Sequence, residues 1–240
     1  MTTPHAAAWR TELTRRARHL FLLKLVGTSA WIWVFFLCYF HLLRHPMFAV
    51  TRMPLTALDA LVPFQPLMLG PYLSLWLYVG IAPGLMPNFR ALLTYGLWTA
   101  GLCLAGLAFF CLWPTAVPPE TSRVSDLLGL RMLQDIDANG NACPSMHVAF
   151  AMFSCLWIEH ILGRAGAPTW LRSVNVAWFL AITWSTLAIR QHVVLDALAG
   201  GALGAAFAGT SLLWRGPATR VLARRGRAAM IDRIPENSPP

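Results

Sequence analysis

The sequence predicts an all-α, polytopic membrane protein: a bundle of six transmembrane helices with both termini on the cytoplasmic side. Three observations carry this. Hydrophobic residues make up 57% of the 240-residue chain and charged residues only 12%, whereas a soluble globular domain carries about 25% charged residues. Six runs are apolar and close to the roughly 20 residues that cross a bilayer. With the termini inside, only Arg44, Arg52, Arg123, Arg131 and Arg190 of the 19 Lys and Arg residues fall outside, the asymmetry expected of positively charged cytoplasmic segments. The 11 Trp and 17 Gly residues suit bilayer interfaces and close helix packing.

The expected divisions are a cytoplasmic tail at 1–24, a membrane domain at 25–214 and a basic cytoplasmic tail at 215–240. Residues 6–20, with Trp9, Leu13, Arg15, Arg16 and Arg18, read as a surface amphipathic helix. The first span runs from about Leu25 to Leu43. It ends at His41-Leu42-Leu43-Arg44 with no small-residue cleavage site, so it reads as an anchor rather than a signal peptide. The second, about Pro71 to Met86, is short and interrupted by Pro83. The others run from Ala91 to Trp113, Ser145 to Leu162, Leu171 to Ile189 and His192 to Trp214. In the last, Gly200 and Gly204 have GxxxG spacing, read as internal packing rather than dimerisation.

The net charge of +9 needs no nucleic acid. The tail from Arg215 to Arg233 reads as a juxtamembrane patch facing anionic lipid heads, which makes the bilayer the partner. Five cysteines lie mostly inside apolar runs with no CxxC pair, so neither a disulfide framework nor a zinc knuckle is expected. Glu159 and His160 read as an interfacial polar pair. The oligomeric state is not legible.

Polar groups at the mouth of an apolar bundle are costly and need a reason. Three stand on the outer side: His147, His192 and Asp196. His192 and Asp196 are four apart at the start of the last span, so they share a helical face. A carboxylate there accepts the Nδ1–H bond of the imidazole and leaves Nε2 as a nucleophile; a structural His–Asp cap is the alternative. His147 lies in Asn141-Ala142-Cys143-Pro144-Ser145-Met146-His147. Proline suits a first helical turn, and the N–H groups of Ser145, Met146 and His147 then form an anion site, where His147 can protonate a leaving alkoxide. An ordinary helix start is the alternative. Two histidines and a carboxylate also form a possible zinc or iron set, Ser145 with His192 a protease pair, and the polar cluster a transporter or scramblase pathway.

Together the two motifs resemble the type-2 phosphatidic acid phosphatase superfamily of lipid phosphate phosphatases and haloperoxidases. The Pro-Ser-x-His motif falls on Pro144 to His147 and the His-x-x-x-Asp motif on His192 to Asp196. The run from Ser185-Thr186 through Arg190-Gln191-His192 is more similar still to the branch of inositol phosphorylceramide and sphingomyelin synthases. The resemblance spans about Asp59 to Gly209, and Tyr72, Trp76 and Tyr78, with Asp59 and Pro66, look like its entrance region. It implies that His192 forms a phosphohistidine, that Asp196 orients it and that His147 protonates the leaving group, with no metal and no cofactor. The implied substrate is a phospholipid or a polyprenyl-phosphate-type lipid.

Two features depart from that pattern. No Lys-x6-Arg-Pro segment precedes the first motif: Trp113-Pro114-Thr115-Ala116-Val117-Pro118-Pro119 keeps the prolines without the arginine. The arginine usual six residues before the second histidine is Thr186. A phosphate dianion needs cationic partners, so Arg190, and then Arg123 and Arg131, are the expected ones, with Ser145 as a further phosphate donor. The expectation is a lipid-phosphate phosphatase, or a phosphotransferase with an alcohol acceptor, in a bacterial inner membrane with its site on the extracytoplasmic side.

Overall fold

The computed structural model describes residues 4–119 and 140–214. An amphipathic helix, α1 (Pro4–Arg18), is followed by the first apolar helix, α2 (Phe21–Arg44). On α1, Glu12 takes Arg15 and Arg16 as ion-pair partners at three- and four-residue spacing. Next come α3 (Ala57–Leu61), a 3-10 turn (Pro66–Met68), α4 (Leu69–Leu73), α5 (Leu75–Gly84) and α6 (Phe89–Leu112). The last three helices are α7 (Met146–Ala165), α8 (Thr169–Ala188) and α9 (Val194–Leu213).

Among the described residues five segments are long and apolar enough to cross a membrane: Phe21–Arg44, Pro66–Gly84, Phe89–Leu112, Met146–Ala165 and Val194–Leu213. The chain is an integral membrane protein. The expected span from Leu171 to Ile189 folds as α8, which has the length but is not among the five; Arg172, Ser173, Asn175, Thr183, Ser185 and Thr186 dilute its apolar character. The second span begins earlier than expected and is broken at Ser74, whose Oγ donates to the Pro71 carbonyl at 2.6 Å.

α7 is the core helix: its apolar window is 56% buried, against 11% for α2. That contrast fits a helix enclosed by its neighbours and one that gives most of its surface to lipid. Buried polar groups inside the bundle find partners, as an apolar surrounding demands. Tyr78 on α5 donates to Asn175 Oδ1 on α8 at 2.8 Å, and Asn175 Nδ2 donates to the Cys155 carbonyl on α7 at 3.1 Å. Near the start of α2, buried Lys24 donates to the carbonyls of Arg16, Gly84 and Met86 at 2.7, 2.9 and 2.9 Å, pinning α2 to the ends of α1 and α5. Glu159 pairs with Arg172 across α7 and α8. The five cysteines are free thiols.

At the end of the bundle where α7 and α9 begin, a two-residue strand, β1 (Thr51–Arg52), pairs in parallel with β2 (Thr115–Ala116), Thr51 facing Thr115. Ala116 also bridges to Gly140. This small cap gathers the exits of α2 and α6 at the entry to α7.

α9 packs against α7 backbone to backbone. A Cβ on Gly200 would lie 2.2 Å from the Ser145 carbonyl oxygen, and one on Gly204 would lie 2.3 Å from that of Ala149. The GxxxG pair therefore works within the bundle, where only glycine permits the approach. Gly200→Ala should push α9 off α7, costing about 1–3 kcal/mol as overpacking does; thermal unfolding in detergent measures it, and an unchanged midpoint contradicts the close contact.

Candidate active site

The mouths of α7 and α9 meet beside the small β1–β2 cap. Ser145 is the N-cap of α7, and its Oγ accepts the Val148 N–H at 3.4 Å. The expected roles of the first turn change in two ways. Pro144 lies outside the helix, after a cis Cys143–Pro144 bond. The Ser145 N–H is not open to an anion, because it donates to the Asp196 carbonyl at 3.0 Å. Capping by Ser145 leaves the N–H groups of Met146 and His147 as the ones without intrahelical acceptors.

His192 does not lie in the first turn of α9, as the four-residue spacing had implied. The helix begins at Val194 with Val193 as N-cap, and His192 sits in the preceding bend. The reason is backbone bonding: the N–H groups of Gln191 and His192 both donate to the Thr186 carbonyl, at 3.1 and 3.2 Å, which wraps the chain around the end of α8. Asp196 folds back at the third helical position and accepts the Val193 N–H at 3.0 Å. The two side chains still meet, with His192 Nδ1 3.6 Å from Asp196 Oδ2 and Asp196 fully buried. Catalytic hydrogen bonds are often this long before substrate binds.

His147 and His192 line one cavity of about 160 Å³, walled by aromatic residues of α2 and by Tyr72, Trp76 and Asn141. The His147 ring is stacked on Tyr72, with centroids 3.9 Å apart and planes 12° apart, and meets Trp76 edge-on at 5.4 Å. It also hydrogen-bonds the Tyr72 backbone, which leaves its buried Nε2 without a partner. Orphaned buried polar atoms are expensive, at about 1–3 kcal/mol each. Among the described residues they number seven, and five belong to His147, Gln191, His192 and Asp196. That concentration falls on the two histidine motifs and the residue between Arg190 and His192.

Arg190 goes elsewhere. In a left-handed backbone conformation (φ 63°), it donates from its guanidinium to the carbonyls of Asp59 and Val62 at 3.1 and 2.6 Å, capping the C-terminal end of α3. Arg123 and Arg131 lie outside the described residues. Two further residues, Gln191 and Asn141, were not assigned roles from the sequence, and Asp59 was read only as part of the entrance region. Gln191 is 2% exposed with both amide atoms unpartnered, Asn141 lines the cavity while its Nδ2 donates to the Tyr39 carbonyl at 3.1 Å, and Asp59 ties α3 to α9. Only adjacency to the two motifs could have pointed to Gln191 and Asn141.

Asp59 is buried on α3 and accepts the Val194 N–H at 2.8 Å with one carboxylate oxygen and the N–H and Oγ1 of Thr56 at 2.7 Å each with the other. Burial alone would raise its pKa. The bonds from Thr56 and Val194 and the charge of Arg190 outweigh burial and hold the carboxyl below its usual value. A depressed folded-state pKa gives stability that is present above the unfolded value and lost as pH falls through the folded one. Asp59→Ala should therefore cost about 2 kcal/mol, the upper range for a helix-capping side chain, at neutral pH and less in acid. Thermal stability recorded against pH checks this; a parallel offset at every pH contradicts it.

No curated protein and no solved structure matches the chain. A family model described as the PAP2 superfamily matches residues 89–220, more than half of the chain and all of the segment from α6 through both histidine motifs. The chain thus belongs to the PAP2 superfamily, whose members are generally phosphoesterases and which suggests a phosphatase- or phosphotransferase-type function on a lipid-type substrate.

Proposed function

We propose that this protein is a lipid-phosphate phosphatase that works through a phosphohistidine. The observation that carries this reading is the convergence of His147 and His192 on one small cavity, with Asp196 3.6 Å from His192 Nδ1. Asp196 holds Nδ1–H and leaves Nε2 to attack phosphorus. An N–P bond forms as the P–O bond to the lipid breaks, and His147 delivers a proton from Nε2 to the departing alkoxide. Water then attacks phosphorus, with His147 taking its proton; the N–P bond breaks and inorganic phosphate leaves.

In this reading the N–H groups of Met146 and His147, left open by the Ser145 cap, and the unpartnered Gln191 amide would donate to phosphate oxygens. The cationic partners of the phosphate would be those the sequence suggested: Arg190, which would have to give up its α3 carbonyls, or Arg123 of the segment before the first motif. The chemistry needs no metal ion. Transfer to an alcohol instead of water is the second reading, favoured by the Arg190-Gln191-His192 sequence, which is similar to that of inositol phosphorylceramide and sphingomyelin synthases.

α8 completes a six-span bundle in this reading. It is 20 residues long, like α7, and joined to it by the short turn at 166–168. If α7 carries the chain away from His147 across the bilayer, α8 must carry it back for His192 to reach the same cavity. The positive residues then place both termini in the cytoplasm and the histidines at the extracytoplasmic face of a bacterial inner membrane.

His192→Ala should abolish phosphate release from lipid phosphates, and near-normal hydrolysis would remove the mechanism. Asp196→Asn should lower kcat by roughly 10²–10⁴-fold, the range for groups serving acid–base chemistry. Orthovanadate should inhibit, and excess chelator should leave the rate unchanged. An assay with candidate acceptor alcohols separates the two readings, by free phosphate against new lipid.

A further inference from the structure

The two histidines of the candidate site are not held alike. His192 has a carboxylate behind it, with Asp196 3.6 Å from Nδ1. Among the described residues no carboxylate pairs with His147; what stands behind it is α4. Its Nε2 is unpartnered, so Nδ1 is the ring atom that bonds the Tyr72 backbone, and a carbonyl there takes the Nδ1–H. Such a bond fixes one point of an imidazole and leaves its plane free to swing. The Tyr72 side chain removes this freedom. Its ring lies 3.9 Å from the imidazole, centroid to centroid, with the planes 12° apart, and Trp76 meets the imidazole edge-on at 5.4 Å. The backbone and side chain of one residue thus fix the tautomer and the plane of His147, and Nε2 keeps one direction.

Tyr72 can do this because it is itself fixed. It is buried and packs with Leu69 of α4 and with Ile189, which directly precedes the Arg190-Gln191-His192 bend. Two hydrogen bonds tie the same stretch to α8. The Gln65 N–H donates to the Ala188 carbonyl at 2.9 Å, and Trp178 Nε1 donates to Ser74 Oγ at 3.1 Å. Helix α4 therefore rests on the end of α8, from which the chain turns to His192, while its Tyr72 holds His147 on α7. One short element is in register with both histidines.

We infer that Tyr72 is a positioning residue for proton transfer by His147, aiming Nε2 at the leaving oxygen of the substrate. This rests on the phosphatase reading above. There the N–P bond forms at His192 as the P–O bond breaks, and the Nε2 proton of His147 passes to the departing alkoxide. Loss of that aim has a chemical signature. An alkoxide leaves poorly without the proton, whereas p-nitrophenolate is a stable anion at neutral pH and leaves without it. A Tyr72 variant therefore harms alkyl phosphates and spares aryl ones. A general disturbance of the fold displaces His192 and Asp196 as well and harms both.

The test measures kcat/KM, which compares the transition state with free enzyme and substrate, for dioleoyl phosphatidate and for p-nitrophenyl phosphate. It uses the full-length protein in detergent and the variants Tyr72→Leu, Tyr72→Phe and His192→Ala. Tyr72→Leu should lose about tenfold or more on the phosphatidate, part of the roughly 10²–10⁴-fold that general acid catalysis supplies, and less than about threefold on the nitrophenyl ester. Tyr72→Phe keeps the stacked ring and should stay within about threefold of wild type on both. In a Tyr72→Leu protein that thermal unfolding shows to be folded, equal losses on both substrates, or no loss on either, overturn the positioning role and leave the phosphatase standing. So does a Tyr72→Phe variant as impaired as Tyr72→Leu. A second measurement holds even where Tyr72→Leu does not fold: nitrogen NMR of isotope-labelled histidine in the wild type, with the His147 signal identified by its absence from His147→Gln. The neutral ring should carry its proton on Nδ1; a proton on Nε2 overturns the assignment. A wild type no more active than His192→Ala on either substrate overturns the phosphatase reading itself.

Discussion

Where Gly200 passes Ser145, α7 and α9 touch through their backbones, and the geometry of the candidate site depends on that touch. The Ser145 N–H donates to the Asp196 carbonyl at 3.0 Å, a bond between two helix mouths that a side chain at position 200 would prevent. Asp196 then serves three ends at once. Its carbonyl holds Ser145 and the start of α7, one carboxylate oxygen holds the Val193 N–H, and that same oxygen faces His192. Glycine spacing on α9 thus helps set the separation between His147 on α7 and His192 in the bend before α9.

The bundle treats its polar atoms unequally, and the inequality has a physical reading. Around Asn175 and around Lys24 the donors and acceptors are matched inside apolar surroundings, as stability requires. At the histidines most of the unmatched atoms collect. A fold that can satisfy a buried lysine three times over is able to satisfy a histidine. In the phosphatase reading, leaving these atoms unmatched keeps them available to the substrate phosphate.

The transmembrane character, the approximate places of the apolar helices and the GxxxG packing were legible because each rests on local composition or spacing. Both histidines and Asp196 were legible as a group for the same reason. The position of His192 outside the helix was not, since it is fixed by the Thr186 carbonyl at the end of a different element. Arg190 was drawn to phosphate by its charge alone, whereas its fork is engaged by carbonyls more than a hundred residues earlier in the chain. The stacking of Tyr72 on His147 depends on how α4 and α7 pack, and no spacing rule reaches across that distance. α8 shows the opposite limit. Its polar residues weaken its apolar signal because one of them, Asn175, is employed in joining three helices.

The Val194 N–H donates to Asp59, joining α3, made early in synthesis, to the start of α9. The mouth of α9 is therefore tied down only once that helix has been made and its first turn has met α3. By this one contact the arrangement beside His192 depends on a part of the chain more than a hundred residues away.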